Sequence, residues 1–73
     1  MIDIVIRDCG HGEWLPIIVV NRYVEGSAFN KGSELYRGER QRSPQVAFDK
    51  AIGAWATGAS GNIADFKAEQ RIA

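Results

Sequence analysis

The chain has 73 residues, 45% of them hydrophobic and 25% charged. A chain this short buries only roughly 60% of its unfolded surface, which leaves a marginal core and little room for a deep substrate pocket. Nine basic residues balance nine acidic ones, so the chain lacks the basic excess of a dedicated nucleic-acid binder. A single Cys excludes an internal disulfide framework and fits a reducing, cytoplasmic setting.

The opening MIDIVIRD carries an acid at Asp3 and neither a basic start nor a long apolar run, so no secretion signal is expected. No segment approaches the eighteen or so apolar residues of a membrane span. In IDIVIRDC, Ile2, Ile4 and Ile6 alternate with Asp3, Val5 and Arg7, the period of a strand. A second strand is expected over LPIIVVNRYV (15–24). Its start is apolar on both faces, and Pro16 is tolerable there only near the strand's beginning. EGSAFNKGS (25–33) has the Gly, Ser and Asn content of a loop. SELYRGER (33–40) predicts a third, weakly patterned strand with Leu35 and Tyr36 as its only large apolar residues.

The period then changes. In SPQVAFDKAIGAWATG, Ser43 is placed to cap a helix, Pro44 to open it and Gly58 to stop it. Phe48, Ala51, Ile52 and Trp55 recur at helical spacing and predict the buried stripe. After GASG, Asn62 with Asp65 three residues on resembles a capping box for a second helix, with Ile63, Phe66 and Ile72 toward the core. The expected fold is one α+β domain over 1–73: an antiparallel sheet of three to four strands, then two C-terminal helices packed on one face.

DCGHGEW (8–14) gathers Asp8, Cys9, His11 and Glu13 around two glycines. A structural zinc site draws ligands from two separate segments, and the chain has no second His or Cys to supply them. A Cys–His catalytic pair needs both groups held in contact with a third that orients them. Gly10 and Gly12 instead permit the positive φ of a tight turn. The stretch therefore reads as a strand connection, and no metal, cofactor or catalytic residue is expected.

Charge is polarised despite the zero net balance. Residues 31–42 carry four bases against two acids, and residues 1–30 two bases against four acids. Arg37, Arg40 and Arg42, with Tyr36 beside them, are the expected binding residues, since Arg and Tyr are enriched where interfaces carry their energy. If the strand ran on, Tyr36 and Arg40 would share one side and Arg37 would take the other. Trp14, beside the first turn, and Phe29, in a polar loop, are further aromatic candidates; Trp14 can equally serve the sheet's end, and Phe29 is expected first in the core.

ELYRGERQRSPQVAFDKAIGAW, a strand passing through Ser-Pro into an Ala-rich helix, resembles the strand–helix passage of the HicB-like antitoxin domain. The whole plan is similar to small phage-encoded inhibitors, including some anti-CRISPR proteins. These resemblances imply a non-catalytic module, first a phage-type inhibitor that docks on a bacterial macromolecular complex of the CRISPR-defence kind. An antitoxin-like or RNA-binding module using its arginines on phosphate is the alternative. The expected partner is a bacterial protein or ribonucleoprotein, not a membrane, and the free sheet edges leave room for a homodimer.

Overall fold

The computed structural model describes residues 1–70 throughout and the helical backbone of 71–72. Three strands, β1 (Ile2–Gly10), β2 (Glu13–Val20) and β3 (Glu34–Arg37), precede α1 (Pro44–Thr57) and α2 (Gly61–Ile72). The sheet is antiparallel in the order β1-β2-β3, so the apolar β2 lies at its centre. The α+β plan expected from the periodicities is the one observed, with three strands.

The first hairpin is tight because Gly10, His11 and Gly12 all take positive φ, at 79°, 56° and 72°. Gly10 pairs with Glu13 across His11 and Gly12, the arrangement of a two-residue type I′ turn. β2 begins at Glu13, two residues ahead of expectation, and stops at Val20 rather than Val24. Its partner is used up there: Ile2, the first residue of β1, pairs with Val20, and beyond it the Asn21 main chain makes a closing bond to the Met1 carbonyl while its side chain donates to Asp3 Oδ1 at 2.8 Å.

β3 is shorter than 33–40 for two physical reasons. The register slips where Ile18 faces Tyr36 and Val19 faces Glu34, leaving Leu35 without an opposite residue. Pro16 then sits well inside β2, where its carbonyl accepts from Gly38 but it has no N–H to return. The ladder lapses at this point and resumes as one bridge, Trp14 and Gln41 exchanging two 2.7 Å bonds. Gly38 is needed at the lapse, because a Cβ there would lie 2.5 Å from the Tyr36 hydroxyl and 2.8 Å from Pro16 Cγ.

Both helices cover the same face. Ile18, Val20 and Leu35 of the sheet form one core with Ala51 and Ala54 of α1 and Ile63 and Phe66 of α2, and Ile2, Ile4, Phe29, Tyr36 and Trp55 pack around it. Ser43 caps α1 through its hydroxyl, which accepts from Gln45 and Val46. Gly58 ends the helix in the left-handed region.

Two helix expectations need correction. The face of α1 that meets the sheet is Ala47, Ala51 and Ala54, while Phe48 and Ile52 remain 43% and 45% exposed. Alanines let the helix axis approach a sheet face already filled by Ile18 and Val20, and the bulkier stripe is turned to the helix flank. The cap of α2 is Ser60 rather than Asn62. The Ser60 hydroxyl accepts from Ile63 N–H at 3.1 Å and donates to the Leu35 carbonyl at 2.6 Å, tying the helix start to β3. Ile63 and Phe66 are buried as expected. The Ile72 side chain lies outside the described residues.

Candidate interaction surface

Strand alternation assigns every sheet residue to a face. Ile2, Ile4 and Ile6 of β1 and Pro16, Ile18 and Val20 of β2 point toward the helices. Asp3, Val5 and Arg7 of β1 and Glu13, Leu15, Ile17 and Val19 of β2 point away from them. No helix covers this second face. Even so, Ile17 is 1% and Leu15 9% exposed, and neither belongs to the helix-side core.

Their register neighbours explain the burial. Ile17 lies between Val5 on β1 and Arg37 on β3, and Leu15 is opposite Arg7. Long arginine stems shield apolar surface while their charged heads stay in water. In the register, an arginine thus stands beside each of the two buried residues of this face.

The slip at Leu35 arranges the charges. By directing both Leu35 and Tyr36 into the core, it leaves Glu34 and Arg37 on the open face. There they form a two-pronged ion pair, Arg37 Nε donating to Oε1 at 2.9 Å and Nη2 to Oε2 at 2.7 Å. These bonds hold the Glu34 carboxyl below its ordinary range against the opposing effect of burial, with smaller help from the charges of Arg37 and Arg7. The same bonds hold the Arg37 guanidinium still more firmly protonated. Arg40 lies beyond the end of β3, so strand parity does not place it beside Tyr36. Its guanidinium instead stands 3.6 Å from Glu13 on β2. Arg42 is exposed on the approach to α1.

The expected binding residues therefore separate. Arg37 and Arg40 both lie on the open face, as does Arg7, at successive levels along β2. Tyr36 is half-buried on the helix side, opposite Ile18. Trp14 is half-buried at the end of β2. Phe29 closes the far end of the core, with its ring 5.8 Å from Phe66 in an edge-to-face contact. Glu69 holds that loop, accepting from Ser27 Oγ at 2.5 Å and Ala28 N–H at 2.9 Å, and these bonds lower its carboxyl pKa. The signal for Arg7 was present in the alternation of IDIVIRDC, which puts it on the face opposite the isoleucines.

Lys67, which the pattern of α2 leaves looking like an idle surface residue, is half-buried. Its ammonium donates to the Trp55 carbonyl and lies 4.6 Å from the centre of the Trp55 ring.

Asp8, Cys9, His11 and Glu13 do not converge. Asp8 accepts from Gly10 N–H at 2.9 Å, which braces the turn, and Glu13 faces Arg40. Among the described residues, no group of three or more His, Cys, Asp or Glu is placed to hold a metal ion, and no helix is long and apolar enough to cross a membrane. No protein-family model, curated protein or solved structure matches the chain.

Proposed function

We propose that this chain is a non-catalytic protein-binding module that works in the cytoplasm, and that its docking surface is the helix-free face of the sheet. On this reading it is a phage-type inhibitor that seats on a bacterial macromolecular complex of the CRISPR-defence kind. The observation that carries the proposal is the gathering of Arg7, Arg37 and Arg40 around the apolar floor of Val5, Leu15, Ile17 and Val19. Arginine stems covering apolar residues form a surface that can open onto a partner. The guanidinium heads would engage partner carboxylates as the stems pack against it.

Arg37 and Arg40 each already face a carboxylate, and the chain's net charge is zero. That pattern of alternating sign suits the mixed charge of a protein surface better than the uniform charge of a phosphate backbone. The experiment is affinity capture from bacterial lysate, run in parallel with Arg37→Glu, Arg40→Glu and Lys50→Glu, with the retained protein titrated afterwards. Each arginine reversal should weaken binding at least about tenfold, while the exposed Lys50 on α1 should matter little. Retention independent of both arginines would reject this surface. Nucleic acid retained with a steep salt dependence would favour the antitoxin-like, RNA-binding alternative.

A further inference from the structure

The two edges of the sheet are unequal. β3 is four residues long, irregular and charged at both ends, a form that blunts an edge against pairing. β1 spans nine residues, stays in register with β2 from Ile2 to Asp8, and has no strand on its outer side.

The hydrogen bonds show which of its main-chain groups are free. Val20 donates to Ser33 and accepts from Gly32, and Pro16 accepts from Gly38, so the even residues of β2 are bonded toward β3. Its odd residues turn toward β1, as the bond from Asn21 to Met1 shows one step beyond the strand. With Ile2 opposite Val20 and Asp3 opposite Val19, the odd residues of β1 face β2. Ile2, Ile4, Ile6 and Asp8 therefore present their N–H and C=O groups at the free edge.

Most side chains along this edge are complementary to themselves, Ile2 opposite Asp8 being the exception. Antiparallel pairing of two copies about a two-fold axis at Val5 sets Asp3 opposite the second copy's Arg7, and Arg7 opposite its Asp3, on the open face. On the helix side it sets Ile4 opposite the second copy's Ile6. This register also overlaps Ile2–Asp8 along its whole length, with the even residues forming the hydrogen-bonded pairs. Centring the axis one residue away keeps a permitted hydrogen-bond pattern but separates Asp3 from Arg7 and shortens the overlap. Arg7 makes no ion pair among the described residues of its own chain.

The exposed flank of α1 lies over the same edge. Trp55 lines an open groove of about 470 Å³ with Met1 and Ile2. Phe48 and Ile52 lie on that flank in the preceding turns, 43% and 45% exposed.

We infer that two copies of this chain associate through the outer edges of β1, forming a continuous six-stranded antiparallel sheet with its two-fold axis at Val5. The interface is isologous, the same patch serving both copies. It uses hydrogen bonds along β1, the crossed Asp3–Arg7 pairs and the facing flanks of the two α1 helices. It shares Arg7 and Val5 with the proposed docking face but leaves Arg37 and Arg40, toward the β3 side of the sheet, outside the contact, so reversals at those two arginines test that reading apart from this one.

The test is sedimentation equilibrium of the full chain with Arg7→Asp, Asp3→Arg, and a one-to-one mixture of the two. The wild type is expected at twice the chain mass. Each variant alone places like charges opposite each other twice and should dissociate at least about tenfold more readily, with an unchanged far-ultraviolet spectrum. In the mixture every pair is again complementary, so the two-chain mass should return. That recovery also shows that neither variant was merely misfolded. A wild type that stays at single-chain mass up to several hundred micromolar would overturn the inference, as would a dimer indifferent to both variants or a mixture that fails to recover.

Discussion

Replacing Ala51 by Leu and Ile52 by Ala tests which face of α1 holds the fold together. Ala51 is fully buried in the core that contains Ile18 and Val20, while Ile52, next to it in sequence, is 45% exposed. Ala51→Leu forces three further carbons into a filled seam, which costs about 1–3 kcal/mol in well-packed interiors. In a domain this small each kcal/mol moves the midpoint by about 4–8 °C, so a 2 kcal/mol loss lowers Tm by about 8–16 °C. Ile52→Ala removes little buried area and installs the best helix former, so its stability should stay within about 0.5 kcal/mol of wild type. Both are read by urea and thermal unfolding followed by circular dichroism in dilute protein, where association contributes least. An Ile52→Ala cost above about 1.5 kcal/mol beside a harmless Ala51→Leu would show that the helix buries the Phe48–Ile52 stripe, contrary to the packing described.

Ser60→Ala should destabilise by about 1–2 kcal/mol, losing a cap and a bond to the Leu35 carbonyl, whereas Asn62→Ala should be nearly silent in the same denaturation assay. Gly38→Ala should cost about 1–3 kcal/mol by driving a methyl group against Tyr36 and Pro16; Tyr36→Phe in that background should recover part of the loss, and a neutral Gly38→Ala would refute the close approach. Glu34 and Glu69 both have carboxyl pKa values lowered on folding, so their stabilisation is present above the ordinary value of 4.5 and is lost as pH falls through the lowered values. Glu69→Gln should accordingly flatten the acid limb of stability against pH, and the double variant with Glu34→Gln should flatten it further; an unchanged limb would mean that the Ser27 and Ala28 bonds do not persist in solution. Cys9→Ser with His11→Ala should unfold within a few degrees of wild type, since the turn depends on backbone geometry, and one zinc held per chain would contradict that account.

Element order and type were legible because each rests on local signals: the alternation of IDIVIRDC, the glycines around His11, and Ser43-Pro44 ahead of an apolar period. What was not legible depends on partners distant in sequence. β2 stops at Val20 only because β1 begins opposite it, which no feature of LPIIVVNRYV reports. The early end of β3 follows from Pro16, some twenty residues away. The α1 stripe misled because period 3.6 locates an apolar flank without saying which neighbour it meets, and Ala47, Ala51 and Ala54 formed an equally periodic face of smaller residues. Ser60 displaced Asn62 as the cap because it alone also reaches a free carbonyl on β3. In the candidate surface, Arg37 and Arg40 were found by composition. Placing Arg7 on the same face needed the pairing of β1 with β2, and the loss of Tyr36 to the core needed the register slip at Leu35, which reverses the parity of the rest of β3.

That slip links the stability of the domain to its surface. With regular alternation, Leu35 and Tyr36 would point to opposite faces, and one of the two would leave the core. The extra residue lets both pack against the helices. It also brings Glu34 and Arg37, three positions apart, onto one face, where they meet in a two-pronged pair. A small chain thereby gains an additional large core residue from a four-residue strand and, by the same backbone irregularity, sets Arg37 opposite Ile17. The open face is therefore coupled to the core through β3. A partner that engages Arg37 and covers this face would brace the strand holding Leu35. Binding at this face should consequently raise hydrogen-exchange protection along β3, where the pairing is shortest, more than along β1, where it is already continuous.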